Sequence, residues 1–449
     1  MNHADYLAHD ATALAARVAA GDVTPAALLD LALAQHARVH GRVNAVVRLM
    51  EREARARVAG PLTGPLAGVP FLIKDGVQDY AGIPTTYGSR SMTNNVPTRH
   101  AHVVQRYLDA GLVIFGKTNL PKFATRGVTD PVLYGRTNNP WDLSRTPGGS
   151  SGGAAAAVAA GIVPMAAGND GGGSLRIPAA CCGLFTLRPS RGRVSSGPGI
   201  GEVWFGASSE GVISRSVRDS ALALDVLQGA EPGDPFVIAP PAAPYVALMR
   251  RDPGRLRIGY STVSPIGTDV HPEAVLAVSR TAELLAHLGH DVEEAAPAID
   301  GAALAKSYLH VYFGQIPAAV RRAQALGARR DEVELMNRIL VTLGDSVPQC
   351  VLGFLHGTGI LGVLARLGLL DKTVDKIATG NLRYVPFTQL SNLTGAPSMS
   401  VPLHWTAEGL PLGVQFMGPF GSEDRLLQVA RQLEEVQPWF DRMPGMARG

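Results

Sequence analysis

Apolar residues along the chain follow helical spacing in some stretches and form short continuous runs in others. Helical spacing follows Thr24 and Pro25, an N-cap and a first-turn proline, in the run AALLDLALAQHARV. A short apolar run, PFLI, predicts a buried strand that ends at Lys74. His102–Asp109 predicts a helix, and Leu112–Phe115 predicts a second buried strand. This succession of strand, helix and strand predicts a sheet that is covered by helices.

The rest of the chain continues this succession. We predict strands at 162–167, 255–260, 398–402 and 412–416, and helices at 212–229, 271–288 and 424–436. The span 301–380 is almost wholly helical in pattern and predicts an insertion or lid over a site. The expected fold class is α/β, with a large mixed twisted β-sheet covered by helices on both faces. No internal repeat or linker divides residues 1–449, so we expect a single domain.

Composition narrows the class of protein. The net charge is +3 with 18% charged residues, which gives no basic stripe of the kind that binds nucleic acid. The chain has three cysteines, two of them adjacent at Cys181 and Cys182. They are too few for a disulfide framework, and their spacing does not match that of zinc ligands. The start of the sequence has no basic and apolar leader. We therefore expect a protein of the reducing cytoplasm.

One apolar segment, Val351–Leu370, has about the length of a membrane span. It contains His356 and Arg366 as well as several glycines, and an arginine in the middle of a lipid-embedded helix is costly. We favour a buried or pocket-lining helix and expect no membrane span.

Two glycine-rich turns flank an alanine-rich segment. The first turn, residues 148–153, reads GGSSGG, and the second turn, residues 168–174, reads GNDGGGS. Clustered glycines beside hydroxyls are typical of a site that a ligand or another backbone approaches closely. Neither turn supplies the lysine of a phosphate-binding loop or the acidic residue of a dinucleotide fingerprint. Nucleotide binding is therefore disfavoured.

The first turn also satisfies the Gly-x-Ser-x-Gly pattern of a nucleophile elbow, with Ser151 at its centre. An elbow needs a strand directly before it, whereas Asn138–Pro147 is typical of a loop. The histidines form no His-Glu-x-x-His arrangement, and single ones such as His310 and His404 are more often structural.

The run GGSSGGAAAAVAAGIVPMAAGNDGGGSLRIPAACCGLFTLRPSRGRV closely resembles the signature of the amidase signature family. The upstream blocks GVPFLIKDGV and GLVIFGKTNLPKFA are similar to the family's segment around its lysine and the following strand. The downstream blocks GVISRSVRDSALALDVLQG and FTQLSNLTGAPSMSVPLHW resemble its later parts. The resemblance covers nearly the whole chain and implies the amidase signature fold.

The resemblance implies a triad in which Ser174 is the nucleophile, Ser150 the bridging serine and Lys74 the base. In the family a cis peptide bond precedes the bridging serine, and here this would be Gly149–Ser150. Chemically, a lysine can deprotonate a serine only when it is neutral, and burial behind an apolar strand lowers a lysine pKa. We expect the oxyanion to face the backbone amides of Gly171, Gly172, Gly173 and Ser174.

Each assignment has a simpler alternative. A lysine at a strand end is usually solvated, and serines before an alanine-rich helix usually cap it. We expect Asp170 and Arg176 to form a structural pair that braces the second turn, and the adjacent cysteines to be packing residues. The joint occurrence of these parts in family order favours catalysis.

The flanking residues look most like the 6-aminohexanoate cyclic dimer hydrolases within the family. Two departures from the commoner family pattern are Asn169-Asp170-Gly171 in place of Thr-Asp-Thr, and Phe185–Arg188 in place of Gly-Leu-Lys. Apolar surroundings favour small uncharged aliphatic, cyclic or aryl amides. The candidate substrate contacts are Ala124, Thr125, Arg126, Gly127, Tyr308, Tyr312 and Phe313.

The expected activity is hydrolysis of a carboxylic amide through an acyl-enzyme, with a small-molecule substrate and no metal or organic cofactor. Several alternatives stay open: a general acylamidase, an esterase or an acyl transferase with the same acyl-enzyme, a partner-dependent amidotransferase subunit, and an α/β-hydrolase that uses Ser151. A homodimer also stays open as the assembly.

Overall fold

The computed structural model describes residues 1–198, 201–333 and 382–448. Most of the expected helical insertion, including Val351–Leu370, lies outside the described residues. The helices are α1 His3–Leu7, α2 Ala11–Ala19, α3 Pro25–Val43, α4 Glu51–Val58, α5 His102–Asp109, α6 Gly152–Ala159, α7 Arg176–Cys182, α8 Val217–Leu227, α9 Tyr245–Leu248, α10 Pro272–His287, α11 Gly301–Ala325, α12 Gln389–Thr394, α13 Glu423–Val436 and α14 Gly445–Arg448. Short 3₁₀ turns occur at Arg90–Met92, Lys122–Ala124 and Arg330–Glu332.

The strands form two neighbouring ladders and one small separate pair. They are β1 Val46–Leu49, β2 Pro70–Lys74, β3 Val113–Thr118, β4 Met165–Asp170, β5 Phe185–Arg188, β6 Ser209–Ser214, β7 Arg257–Tyr260, β8 Asp291–Glu294, β9 Ser398–Trp405 and β10 Pro411–Met417. The orders are β1-β3-β2, β10-β9-β5-β6-β4 and β7-β8. The edge strands β2 and β4 lie beside each other, which joins the two larger ladders. Parallel β2–β3 pairing among antiparallel pairs makes this arrangement mixed.

Both faces of the joined ladders are buried. Phe71 and Ile73 of β2 belong to one apolar cluster, which includes residues of α5, α8 and α13. Leu72, between them, belongs to a second cluster, which includes residues of α3 and α6. Because side chains alternate between the faces of a strand, helices cover the sheet on both sides. The predicted α/β class and its helix-covered mixed sheet are confirmed.

The alanine-rich helix α6 lies inside the molecule, and all eight of its residues are buried. A Cβ atom on Gly153 would stand 2.4 Å from the backbone nitrogen of Asn119, so only glycine fits there. Small side chains therefore let helix α6 pack closely in the core against β2 and β4.

Most predicted elements are confirmed within one to three residues, including α3, α5, β2 and β10. The helix predicted at 212–229 is wrong at its start, because residues 212–214 complete strand β6. The helix begins after Ser216, whose side chain accepts a hydrogen bond from the Asp219 amide and caps it. None of the described helices is long and apolar enough to cross a membrane.

Candidate active site

The structure brings Lys74, Ser150 and Ser174 to one cavity of about 370 Å³. Lys74 ends strand β2 and is fully buried, which contradicts the simpler interpretation of a solvated surface lysine. Its Nζ atom lies 2.8 Å from the Ser150 Oγ atom. Ser174 is half-buried and also lines a second cavity of about 190 Å³. The predicted catalytic residues therefore share a site.

The serines of the first turn contact the lysine and do not cap the following helix. Ser151 occupies the N-cap position of α6, yet its side chain makes no capping hydrogen bond. Instead Lys74 Nζ lies 3.0 Å from Ser151 Oγ, beside its contact with Ser150. The Gly149–Ser150 peptide bond is cis, as the resemblance implies. The interpretation of these serines as helix caps is wrong.

Ser151 is poorly placed for attack on a substrate. Its side chain is fully buried, and its hydroxyl donates to the Asn169 carbonyl oxygen at 3.2 Å. It lines neither cavity, whereas Ser174 lines both. Residues 138–147 contain turns and one isolated bridge but no strand, as predicted. The geometry thus disfavours a nucleophile elbow at Ser151.

Asp170 and Arg176 brace the second turn, as expected. The Arg176 Nη2 atom lies 2.9 Å from Asp170 Oδ1, and both side chains are buried. Arg176 also donates to the Thr388 carbonyl and to Asn392, which ties the turn to α12 and the residue before it. Burial alone would raise the pKa of Asp170, but the charge of Arg176 holds it well below its ordinary value. The carboxylate therefore stays ionised and fixes the turn.

The structure corrects one expected oxyanion donor. The Gly173 amide donates to Asp170 Oδ1 at 2.6 Å and is therefore engaged in the turn. The amides of Gly171, Gly172 and Ser174 donate to no group among the described residues. A Cβ atom on Gly172 would stand 1.8 Å from the Tyr308 hydroxyl, so any side chain there would have to displace this tyrosine.

Burial also controls the protonation of Lys74. Its three polar side-chain partners are uncharged: Ser150, Ser151 and the Asn169 Oδ1 atom, which lies 2.7 Å from Nζ. Burial lowers the pKa of Lys74 to about 7, although the negative charges of Glu210 and Asp170 act in the opposite direction. A substantial fraction of the amine is thus neutral near neutral pH and able to accept a proton.

The walls of the larger cavity are mainly apolar. The side chains of Val77, Met92, Leu120, Phe123 and Ile316 line it. The charged residues of its lining are Lys74, Glu202 and Arg322, of which the last two are exposed to solvent.

Five of the seven non-glycine residues with positive φ in the described part of the chain line this cavity: Val77, Tyr87, Phe123, Ala124 and Trp204. The left-handed region is costly for such side chains and is common where the surrounding structure holds a functional shape. The backbone of the cavity wall is therefore strained at these residues, and the surrounding packing holds it in this conformation.

The predicted substrate contacts divide between the two cavities. Ala124 and Thr125 line both, while Arg126, Gly127, Tyr308 and Tyr312 line the smaller one. The Tyr312 hydroxyl donates to the Thr125 carbonyl at 2.8 Å. This hydrogen bond connects helix α11 to the segment that lines both cavities. The side chain of Phe313 lies outside the described residues.

Other lining and supporting residues were not predicted from the sequence. Trp204 lines both cavities, and Ile316 lines the larger one. The tryptophan of the glycine-flanked segment GEVWFG is a signal that could have indicated the first of these. Asn169 was noted only as a departure from the family pattern, although it contacts Lys74.

Neither a metal site nor a histidine base appears in the part of the chain that the structure describes. No group of three or more His, Cys, Asp or Glu side chains could hold a metal ion there. His404 contacts Glu273 at 2.7 Å, which agrees with a structural role. Cys181 and Cys182 are free thiols in α7, and Cys182 is buried.

Comparison with known proteins identifies the family of this chain. The family model described as Amidase matches residues 27–347 and 365–427. A 6-aminohexanoate-cyclic-dimer hydrolase of Pseudomonas sp. (strain NK87) is 37% identical over 474 residues, which span 97% of this chain and 96% of that protein.

Solved structures show the same likeness. A 6-aminohexanoate cyclic dimer hydrolase complexed with substrate is 33% identical, with a TM-score of 0.88 over 98% of this chain and 99% of that one. A bacterial aryl acylamidase of the amidase signature family is 25% identical, with a TM-score of 0.82 over 98% of both chains. The expected family, its fold and the likeness to cyclic dimer hydrolases are confirmed. The chain belongs to the amidase family and is an enzyme that hydrolyses amides.

Proposed function

We propose that the protein hydrolyses small uncharged amides through an acyl-enzyme on Ser174. The observation that carries this proposal is the contact between Lys74 Nζ and Ser150 Oγ, at 2.8 Å, beside a cavity that Ser174 also lines. Burial lowers the pKa of Lys74 to about 7, which makes the amine available as a base.

In the proposed first step, the Ser174 Oγ atom attacks the amide carbonyl carbon and its proton passes through Ser150 to Lys74. The amides of Gly171, Gly172 and Ser174 donate to the oxygen that gains negative charge. When the C–N bond breaks, the proton returns through Ser150 to the leaving amine. Water then attacks the Ser174 ester by the same route and releases the acid.

Aliphatic amides, linear or cyclic, are the proposed substrates, with 6-aminohexanoate oligomers as the leading case. Apolar side chains form most of the wall of the larger cavity, and its two charged rim residues, Glu202 and Arg322, are exposed. Such a wall favours methylene chains over charged groups. The likeness to cyclic dimer hydrolases supports the same substrate class.

Aryl amides are a second candidate class. Trp204 and Tyr312 form an edge-to-face pair with ring centroids 5.6 Å apart, and both line the smaller cavity. Aromatic pairs of this geometry can accept a further ring. The likeness to an aryl acylamidase agrees with this alternative.

We further propose that the chain forms one catalytic domain. One apolar cluster includes Tyr6 near the start of the chain and Trp439 near its end. A core that contains both ends is typical of a single folding unit.

The proposed function is tested with a panel of amides: cyclic and linear aminohexanoate oligomers, anilides, and the matching esters. We expect hydrolysis of the aliphatic amides by the wild-type protein and a loss of about 10⁴-fold or more in kcat for Ser174→Ala. Ser144→Ala, on an exposed loop, is the matched control and should keep full activity. Full turnover by Ser174→Ala would refute the proposed nucleophile.

A further inference from the structure

A buried carboxyl group that the triad does not use lies two strands from the catalytic lysine. Glu210, in strand β6, is 1% exposed. It is the antiparallel cross-strand partner of Asn169 in β4, and β4 lies beside β2, where Lys74 ends the strand. Lys74, Asn169 and Glu210 therefore stand in a row across three neighbouring strands.

Two side chains join Glu210 to the lysine. Asn169 donates through Nδ2 to Glu210 Oε1 at 3.2 Å, while its Oδ1 atom accepts from Lys74 Nζ at 2.7 Å. Gln78 donates through Nε2 to Glu210 Oε2 at 2.7 Å, while its Oε1 atom accepts from the Lys74 backbone amide at 2.6 Å. Both carboxyl oxygens are thus used to orient groups that hold Lys74.

We propose that Glu210 is a positioning residue that acts through Asn169 and Gln78 to hold the Lys74 amine against Ser150 and keep it basic enough to accept a proton. This inference rests on the proposed role of Lys74 as the base. No ion pair to Glu210 is found among the described residues, so its charge acts mainly on the Lys74 site.

The electrostatics of the row support this role. Burial raises the pKa of Glu210 to about 7 and lowers that of Lys74 to about 7. The charge of each group stabilises the charged form of the other and so opposes these shifts. The other titratable groups that face this pair are Asp170, Tyr87 and Tyr107. Without Glu210, the larger of the two charge effects that oppose burial at Lys74 would be lost, and Lys74 would become a weaker base.

The test is the pH profile of kcat/KM for Glu210→Gln, a variant of nearly the same shape. Loss of the negative charge should move the acidic limb to lower pH by about one unit and lower the alkaline plateau several-fold. The matched control is Glu434→Gln, because burial also raises the pKa of Glu434 to about 7 and its carboxyl accepts from the Val217 amide at 3.0 Å. Glu434 lines neither cavity, so this control should leave the acidic limb unchanged.

A second variant keeps the inference testable if Glu210→Gln does not fold. Asn169→Ala removes an acceptor of the Lys74 ammonium and should also move the acidic limb to lower pH. Glu210→Asp keeps the charge, so its acidic limb should lie closer to the wild-type pH than that of Glu210→Gln.

A fall in activity that is equal at every pH, with the limb unmoved, would show a merely structural role and overturn the inference. Lys74→Met separates this outcome from failure of the proposed function. If Lys74→Met keeps full activity, the lysine base itself is wrong. If Lys74→Met is inactive and Glu210→Gln has a wild-type pH profile, the inference about Glu210 alone is wrong.

Discussion

The two buried lysines of neighbouring strands, Lys74 in β2 and Lys117 in β3, differ in the role that we propose for them although their burial is the same. The strands pair in parallel, with Ile73 opposite Lys117 and Lys74 opposite Thr118. Both side chains are fully buried. Burial lowers the pKa of Lys74 to about 7 and that of Lys117 to about 8.

Their partners separate them. Lys117 donates to the Pro84 carbonyl and to Thr85, and its Nζ atom lies 3.9 Å from the carboxylate of Asp75. Lys117 lines neither of the two cavities, whereas Lys74 lines the larger one and contacts Ser150, which lines it as well. Burial lowers the pKa of both amines, and each has a hydroxyl partner. Only Lys74 contacts a serine that lines the larger cavity, and we therefore propose that Lys74 alone acts as a base.

The largest expected difference is in activity between Lys74→Met and Lys117→Met. Lys74→Met should lose about 10⁴-fold in kcat, because Ser150 and Ser174 then have no group to take their proton. Lys117→Met should keep activity per folded molecule. The measurement is kcat on the best amide, corrected for the folded fraction by circular dichroism, and equal losses in both variants would break the comparison.

The free energy of unfolding should show the opposite order, with the larger loss in Lys117→Met. Lys117→Met leaves the buried Asp75 carboxylate without its cation and should cost about 3–5 kcal/mol of unfolding free energy. The double variant Lys117→Met with Asp75→Asn should cost less than this single change, because the unpaired charge is gone. Denaturant unfolding measures both, and a single variant as stable as the wild type would contradict the buried pair.

A smaller difference is expected between the serines of the first turn. Ser150→Ala should lower kcat by about 10²–10⁴-fold, because it removes the group between Lys74 and Ser174. Ser151→Ala removes one partner of Lys74 but no reacting group, so its loss should be smaller. Steady-state kinetics decide this order, and a larger loss for Ser151→Ala would favour the elbow alternative.

The pH dependence should follow the lysine. The folded-state pKa of Lys74, about 7, lies below the ordinary value of 10.5, so the neutral base is lost as pH falls through about 7. We expect kcat/KM to fall on the acidic side of about pH 7 and to level off above it. A profile that is flat from pH 5.5 to pH 9 would exclude a lysine base with this pKa.

The smallest expected effect concerns the helix above the site. Tyr312→Phe removes the hydrogen bond to the Thr125 carbonyl, which is worth about 1 kcal/mol. KM should rise a few-fold with kcat nearly unchanged, because the segment at the cavity wall is held less firmly. A fall in kcat with constant KM would instead place this tyrosine in the chemical step.

The sequence predicted the elements that carry strong local signals. The apolar run before Lys74 and the capped helix after Thr24 are formed as expected, because burial and capping act within a few residues. The strand at 212–214 was predicted as helix, since its residues are buried on both faces and lack the alternation of a half-exposed strand.

The site was predictable only as far as the family motif reaches. The motif indicated Lys74, Ser150 and Ser174, whereas local pattern could not separate Lys74 from Lys117, because each ends an apolar run. Glu210 acts through the register of β4 against β6, and this pairing joins residues far apart in sequence. The Gly173 amide, engaged by Asp170, likewise depends on the fold of the turn.

The most direct test of the central claim is the site of covalent labelling by a serine-directed fluorophosphonate, located by peptide mass spectrometry. We predict modification of Ser174 in the wild-type protein and in Lys117→Met, and much slower modification in Lys74→Met. Modification of Ser151, or equal labelling rates in the two lysine variants, would contradict a nucleophile at Ser174 that Lys74 activates.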